Sequence, residues 1–341
     1  MDRMFDGVPV QHWVYKTTSG LQVCGDSREI LDYIPDNSVD LVITSPPFAL
    51  LRQKCYGNER QSDYVDWLSD FGIKVLRILK QTGSFVLDLG GAYTKGKPIR
   101  SLYNFRVLIH FCDKLGFKLA EDFYWFNPAK LPSPIEWVNK RKIRAKDAVN
   151  TVWWFSKSDY PKADVTKVLK PYSERMKTLL KNPESFYSPR LRPSGHDIGI
   201  NFGKNKNGGA VPPNLLTIPN TESNSPYLRK CKLIKRKSHP ARFPEELPGF
   251  FVKFLTDTED VIVDLFSGSN TTGFVCEELG RRWLSIESSL DYAALSAIRF
   301  MEGWDFERIK SCVEQMEAGE FLNLAKLPEY QKTFFDVVTH I

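Results

Sequence analysis

Two apolar runs far apart in the chain, Val39 to Thr44 and Val261 to Phe266, each stop at a loop of specialised composition. A predominantly apolar run of this length suits a strand buried on both faces of a parallel sheet. The first run stops at Ser45-Pro46-Pro47-Phe48, and the second at Ser267-Gly268-Ser269-Asn270-Thr271-Thr272-Gly273. Parallel strands require crossover segments, and helix-like periodicity follows both loops. The expected fold is therefore α/β, a doubly wound, mostly parallel sheet with helices on both faces. In such sheets ligands gather beyond the carboxyl ends of the strands, which makes the two loops candidates for a single site.

The rest of the chain fits this frame. Gly20 to Cys24 reads as a short strand, after which Asp26 or Ser27 can cap a helix over 28–34. Leu68, Phe71, Val75, Leu76 and Leu79 share one face of a predicted helix over 64–79. Glycines bound a strand over 83–91, and a helix over 105–115 is expected to end at Gly116. Strands over 122–126 and 149–155 follow, set apart by a Pro-rich and then basic loop over 128–146, and suggest an antiparallel edge; Trp153 and Trp154 read as packing residues. After Lys157 periodicity fades into Pro, Gly, Asn and Ser, with enough Leu, Ile, Phe and Tyr to stay ordered. Regular alternation resumes with a helix over 244–255, strand 261–266, helix 272–279, strand 283–287 and helix 291–301. The expected divisions are 1–157, 158–237, 238–310 and a weakly patterned tail, 311–341.

Charge separates the third quarter from the remainder. Residues 158–237 hold 16 Lys+Arg against 6 Asp+Glu, whereas the rest of the chain holds 31 against 35. A basic segment inside an otherwise slightly acidic protein is either a solvated face or a polyanion-binding surface. The six cysteines include no CxxC pair and do not cluster with the five histidines, so reduced thiols and no metal site are expected. No stretch approaches a membrane span, and the expected location is the cytoplasm.

Residues 261–287 form a strand–loop–helix–strand unit of the kind that brings backbone close to a ligand at a helix N-terminus. Glu287 ends its second strand, 23 positions after Asp264, where a carboxylate can accept hydrogen bonds from a ribose. A nicotinamide or flavin site is the alternative, lowered by the absence of GxGxxG. At the other loop, the double proline fixes two φ angles and removes two backbone donors. This leaves a stiff platform of oxygen acceptors, Ser45 Oγ and the Pro46 carbonyl, suited to an amine. The competing reading is a plain strand stop. Phe48 is either a stacking surface for a base or a core aromatic. Asp88, at a neighbouring strand end, is a candidate to orient or deprotonate the amine, or else a cap on the glycine turn that follows it.

Phe266-Ser267-Gly268-Ser269 resembles the FxGxG motif of S-adenosylmethionine-dependent methyltransferases, with Asn270 in place of the last glycine. His239 to Pro244 is similar to the segment leading into the preceding helix of that family, and Ser45-Pro46-Pro47-Phe48 resembles the SPP[YF] motif of its cytosine-N4 subtype. Residues 44–50, 123–128 and 152–157 extend the likeness, which covers most of the chain. The order, with the amine loop first and the cofactor loop last, resembles the β-class permutation of DNA amino-methyltransferases.

This resemblance implies S-adenosylmethionine as cofactor, held by Asp264, Phe266, Gly268, Ser269, Asn270 and Thr271. Asp26 would accept from the adenine amine, Glu287 from the ribose, and Phe243 and Pro244 would wall the methionine end. It implies catalysis by Ser45, Pro46, Pro47, Phe48 and Asp88 on a cytosine turned out of duplex DNA. Within it, residues 1–157 are the catalytic half, 158–237 the target-recognition region and 238–310 the cofactor half. Arg190, Arg192, His196, Lys204 and Lys206, assisted by Lys140 and Arg141, are candidates for DNA contact. The implied partners are double-stranded DNA and a cognate restriction endonuclease, with the protein a monomer or weak dimer. An adenine-N6 enzyme of the same fold and a catalytically idle DNA-binding relative remain alternatives. Cytosine-C5 chemistry is excluded because no Pro-Cys dipeptide occurs.

Overall fold

The structure is a computed structural model, and it describes residues 5–50, 59–181, 208–221 and 225–330. Ten strands form one sheet: β1 (Trp13–Lys16), β2 (Gly20–Cys24), β3 (Val39–Thr44), β4 (Leu79–Gly90), β5 (Lys118–Phe126), β6 (Val149–Ser156), β7 (Leu215–Thr217), β8 (Val261–Asp264), β9 (Arg282–Glu287) and β10 (Leu322–Asn323). Their spatial order is β10-β1-β2-β9-β8-β3-β4-β6-β5-β7. The run from β2 to β4 is parallel, and β4, β6 and β5 pair antiparallel, as the adjacent late strands suggested. Although 220 residues separate Thr44 from Asp264, their strands are neighbours at the centre of the sheet.

Every residue of β3 is buried, its apolar side chains between the two layers and Asp40 paired with Lys80 and the Val261 amide. Strand alternation then sorts side chains between the layers. Trp153 and Phe155 face helices Tyr64–Ile78 and Tyr103–His110, where Phe155 joins Phe85, Phe111 and Phe117 in a buried aromatic group. Trp154 faces the opposite layer and meets Phe254 of helix Glu246–Leu255 at 5.2 Å between ring centroids. On β5, Phe123 meets Phe251 of the same helix.

Several boundaries differ from expectation for local reasons. The expected helix over 28–34 is a single α-turn, Ser27–Ile30, followed by a 3-10 turn to Tyr33, with Asp26 as its cap. The helix expected over 105–115 starts at Tyr103, and its last turn widens before Gly116, which takes φ +91. Strand β8 ends at Asp264 rather than Phe266, because the Phe266 amide turns to bond the Asp264 and Thr44 side chains. The tail contains a capped amphipathic helix, Phe306–Glu317, then β10, which pairs with β1 at the sheet edge.

Two compact units emerge. One comprises residues 1–162 and 214–341 and contains the whole sheet. The other is 163–213, narrower than the expected 158–237, since β7 and helix Pro226–Leu233 belong to the first unit. Among its described residues, Asp164 caps a 3-10 turn, Lys170 and Ala210 form an antiparallel bridge, and Glu174–Lys181 is a helix. Among the described residues, no helix is long and apolar enough to cross a membrane.

Candidate active site

A cleft of about 620 Å³ opens beyond the carboxyl ends of the central strands, and both loops line it. On the amine-loop side the β3–β4 register sets Thr44 against Leu87, which brings Ser45 beside Asp88. Ser45 Oγ donates to Asp88 Oδ2 at 2.9 Å. The Pro47 carbonyl accepts from the Tyr64 hydroxyl at 2.9 Å, while no donor to the Pro46 carbonyl occurs among the described residues. Pro46 lines the cleft on a backbone stiffened by two prolines. Burial pushes the Asp88 carboxyl up to about 6, opposed by hydrogen bonds from Ser45 and Asn150 and by the charge of Lys130. A carboxylate with that value is largely ionised at neutral pH yet can take a proton. The Phe48 ring is half-buried, lines the cleft and lies directly against Gly90.

Asp264 joins the two loops. Its carboxylate accepts from Thr44 Oγ1 and Thr272 Oγ1, each at 2.7 Å, and from the Phe266 amide at 3.1 Å. Complete burial raises it too, to about 6. The strand end that carries Ser45 is thus tied to the start of helix Thr271–Glu278 through one carboxylate.

On the cofactor side, Glu287 Oε2 accepts from the Gly268 amide at 2.9 Å and Oε1 from the Ser289 amide at 2.9 Å. Gly268 has φ +53, and a Cβ there would lie 3.0 Å from the His239 ring, so both backbone and space call for glycine. The second acid, Asp26, stands nearby because β2 pairs Cys24 with Glu287. Arg28 donates to both Asp26 oxygens and holds that carboxyl below the usual range. Trp67 and Phe71 pack on Phe266 to form an aromatic wall beside it. Arg242 also lines the cleft, and its buried Nε has no acceptor among the described residues. Two carboxylates, an aromatic wall and a cation with an unmet donor fit a ligand that carries hydroxyls, a flat heterocycle and a carboxylate.

The predicted residues are therefore mostly convergent. Ser45, Pro46, Pro47, Phe48, Asp88, Asp26, Asp264, Phe266, Ser269, Thr271, Glu287 and Phe243 line the cleft. Gly268 acts through its amide on Glu287, and Pro244 is not among the lining residues. Asn270, expected at the cofactor, is fully buried beneath the loop. In left-handed backbone it caps helix Thr271–Glu278 through Gly273, accepts from Ser285 and donates to Tyr15. Where the resembled motif has glycine, Asn270 builds the turn from left-handed backbone. Lys140 and Arg141 are exposed, pair with Glu136 and are not among the residues lining the cleft. Arg190, Arg192, His196, Lys204 and Lys206 lie outside the described residues. Sequence reasoning passed over Arg28, Trp125, Lys130, Asn150 and Asn220, which also line the cleft.

The DNA methylase family profile matches residues 39–298, and the chain belongs to this family of N6/N4 methylases. A more particular likeness follows. The chain is 58% identical over 311 residues to the type II methyltransferase M.PvuII of Proteus hauseri, covering 91% of this chain and 92% of that protein. The solved structure of the PvuII DNA methyltransferase, described as cytosine-N4-specific, superposes with a TM-score of 0.76 at 50% identity, covering 93% of this chain and 99% of that one. M.BglII of Bacillus subtilis is 25% identical over 308 residues, 90% of this chain and 72% of its own length.

Proposed function

We propose that the protein is a type II modification methyltransferase that transfers a methyl group from S-adenosylmethionine to the exocyclic N4 of a cytosine in duplex DNA. The observation that carries the reading is the Ser45–Asp88 hydrogen bond beside the Pro46 carbonyl, in a cleft shared with Glu287 and Asp26. Bound S-adenosylmethionine supplies a methyl carbon already made electrophilic by its sulfonium. Glu287 and Asp26 are the acceptors for its ribose hydroxyls and adenine amine, Trp67, Phe71 and Phe266 the apolar wall, and Arg242 the partner of its carboxylate.

The chain's own contribution is positioning and proton acceptance. The Pro46 carbonyl and Ser45 Oγ accept the hydrogens of the cytosine amine, which turns its nitrogen lone pair out of conjugation and toward the methyl. As the methyl is transferred, one amine proton would pass to the Ser45–Asp88 pair, with Asp88 as its final acceptor. Phe48 offers a face on which the extruded ring stacks, offsetting part of the few kcal/mol lost in unpairing it.

The basic segment that includes 163–213, together with Lys140 and Arg141, is assigned to DNA, and residues 1–157 and 238–310 to catalysis and cofactor binding. The protein acts in the cytoplasm as a monomer or weak dimer and shields its sites from a cognate restriction endonuclease. Nucleoside analysis of DNA from cells expressing the protein tests the reading: N4-methylcytosine is expected at one short sequence. N6-methyladenine would replace it with the sister activity, and unmodified DNA would overturn it.

A further inference from the structure

Asp88 has a second side-chain partner that the reaction as described leaves idle. Asn150 lies on β6 opposite Gly90, two positions along from the Asp88–Val152 pair, so its side chain and that of Asp88 share one face of the sheet. Its Nδ2 donates to both Asp88 oxygens, at 3.1 Å to Oδ1 and 3.3 Å to Oδ2. We propose that Asn150 is a positioning residue for methyl transfer, whose amide stops the Asp88 carboxylate from rotating off Ser45 and holds it in its proton-accepting form. The proposal rests on the reading of Asp88 as proton acceptor.

The need for such a residue follows from the torsion involved. The terminal torsion of an aspartate is broad, so a single hydrogen bond from Ser45 leaves the carboxylate free to swing. A second donor on the far side removes that freedom. Asn150 can serve because its own backbone is paired on both sides, to Gly90 of β4 and to Trp125 of β5. It also donates without adding charge. An amine there would form an ion pair and weaken the carboxylate as a base, while a second acid would compete for the same proton.

Among the described residues, the groups facing Asp88 come from two loops, a strand and two helices. Ser45 comes from the loop after β3, Asn150 from β6 and Lys130 from the loop after β5; the Tyr64 and Tyr103 hydroxyls come from the two helices. Those hydroxyls donate to the Pro47 and Gly90 carbonyls, not to Asp88. Without Asn150, the groups among the described residues that oppose burial would be Ser45 and the charge of Lys130.

The test is turnover against pH from 5 to 9 for the full-length protein, with saturating duplex and cofactor. The wild-type rate is expected to rise with a midpoint set by Asp88, at about 6. In Asn150→Ala the midpoint moves up by about one unit, so the ionised fraction at pH 6 falls from about a half to about a tenth, roughly a fivefold loss that disappears at high pH. Asn150→Asp moves it further, and Asn150→Ser, which keeps a hydroxyl donor, lies between wild type and alanine. Cofactor affinity by calorimetry stays unchanged, which also reports that each variant is folded; if the alanine variant does not fold, the serine variant carries the measurement. An active variant whose midpoint stays at the wild-type value, or which loses rate equally at every pH, overturns the assignment to Asn150 alone. A wild-type protein that leaves cytosine unmethylated overturns the function reading and this assignment together.

Discussion

The packing of Phe48 on Gly90 makes Gly90→Ala the sharpest probe of the amine loop. Gly90 ends β4 in ordinary strand backbone, so alanine meets no conformational obstacle there, only a steric one. A methyl at that position would lie 2.3 Å from Phe48 Cε2 and 2.6 Å from Cδ2. Ordinary contact begins near 3.4 Å, so the ring has to retreat by about 1 Å. It cannot do so alone, because the preceding Pro47 carbonyl is held by Tyr64 and the loop is stiffened by two prolines. Overpacking of this kind costs about 1–3 kcal/mol of stability, and a displacement near 1 Å in a positioning group costs roughly 100-fold in rate. Single-turnover transfer of labelled methyl to a duplex oligonucleotide should show that loss, while calorimetry finds cofactor affinity unaltered. Combining the change with Phe48→Ala removes the collision and should restore the loop, at the cost of the stacking face. Wild-type turnover in Gly90→Ala would refute the idea that Phe48 needs its present seat.

Other expectations follow from the same geometry. Ser45→Ala removes an acceptor for the amine and a donor to Asp88, and is expected to lower turnover by about 10²-fold or more in the methyl-transfer assay with cofactor affinity kept. Because burial raises Asp88 to about 6, the carboxyl is protonated and inactive below that pH and ionised above it; turnover should therefore climb from pH 5 to 7, and Asp88→Asn should abolish the climb along with most of the rate. Glu287→Ala removes the acceptor of two backbone amides and of the ribose, so calorimetry should find cofactor affinity weaker by about 1.5–3 kcal/mol. If exposed Lys140 and Arg141 touch phosphates, replacing each with Ala should reduce the log–log salt slope of DNA binding by about 0.9; an unchanged slope removes them from the interface.

Much of the central sheet could be read from the chain because its strands are mostly apolar and its crossovers have helical periodicity. Residues 39–44 and 261–287 carry that signal strongly, and with them came Ser45, Asp264 and Glu287. What escaped reading depends on register. Asn150 is an ordinary polar residue in a strand until β6 is aligned with β4, and only then does it face Asp88. The short strands β1, β7 and β10 have too few residues to show alternation and exist because an edge of the sheet is there to receive them. The helix cap made by the Asn270 side chain is likewise invisible in a motif position, although its left-handed backbone is one that Asn tolerates in place of glycine.

The strand order bears on how the protein comes into being. β9 and β8 insert between β2 and β3, so the early part of the chain leaves a slot two strands wide that stays open until residues 261–287 have been synthesised. Until then β2 and β3 each present an unpaired edge, and Asp264 and Glu287 do not yet exist to complete the cleft. Synthesis must therefore run through Glu287 before both loops and both carboxylates can meet in one cleft.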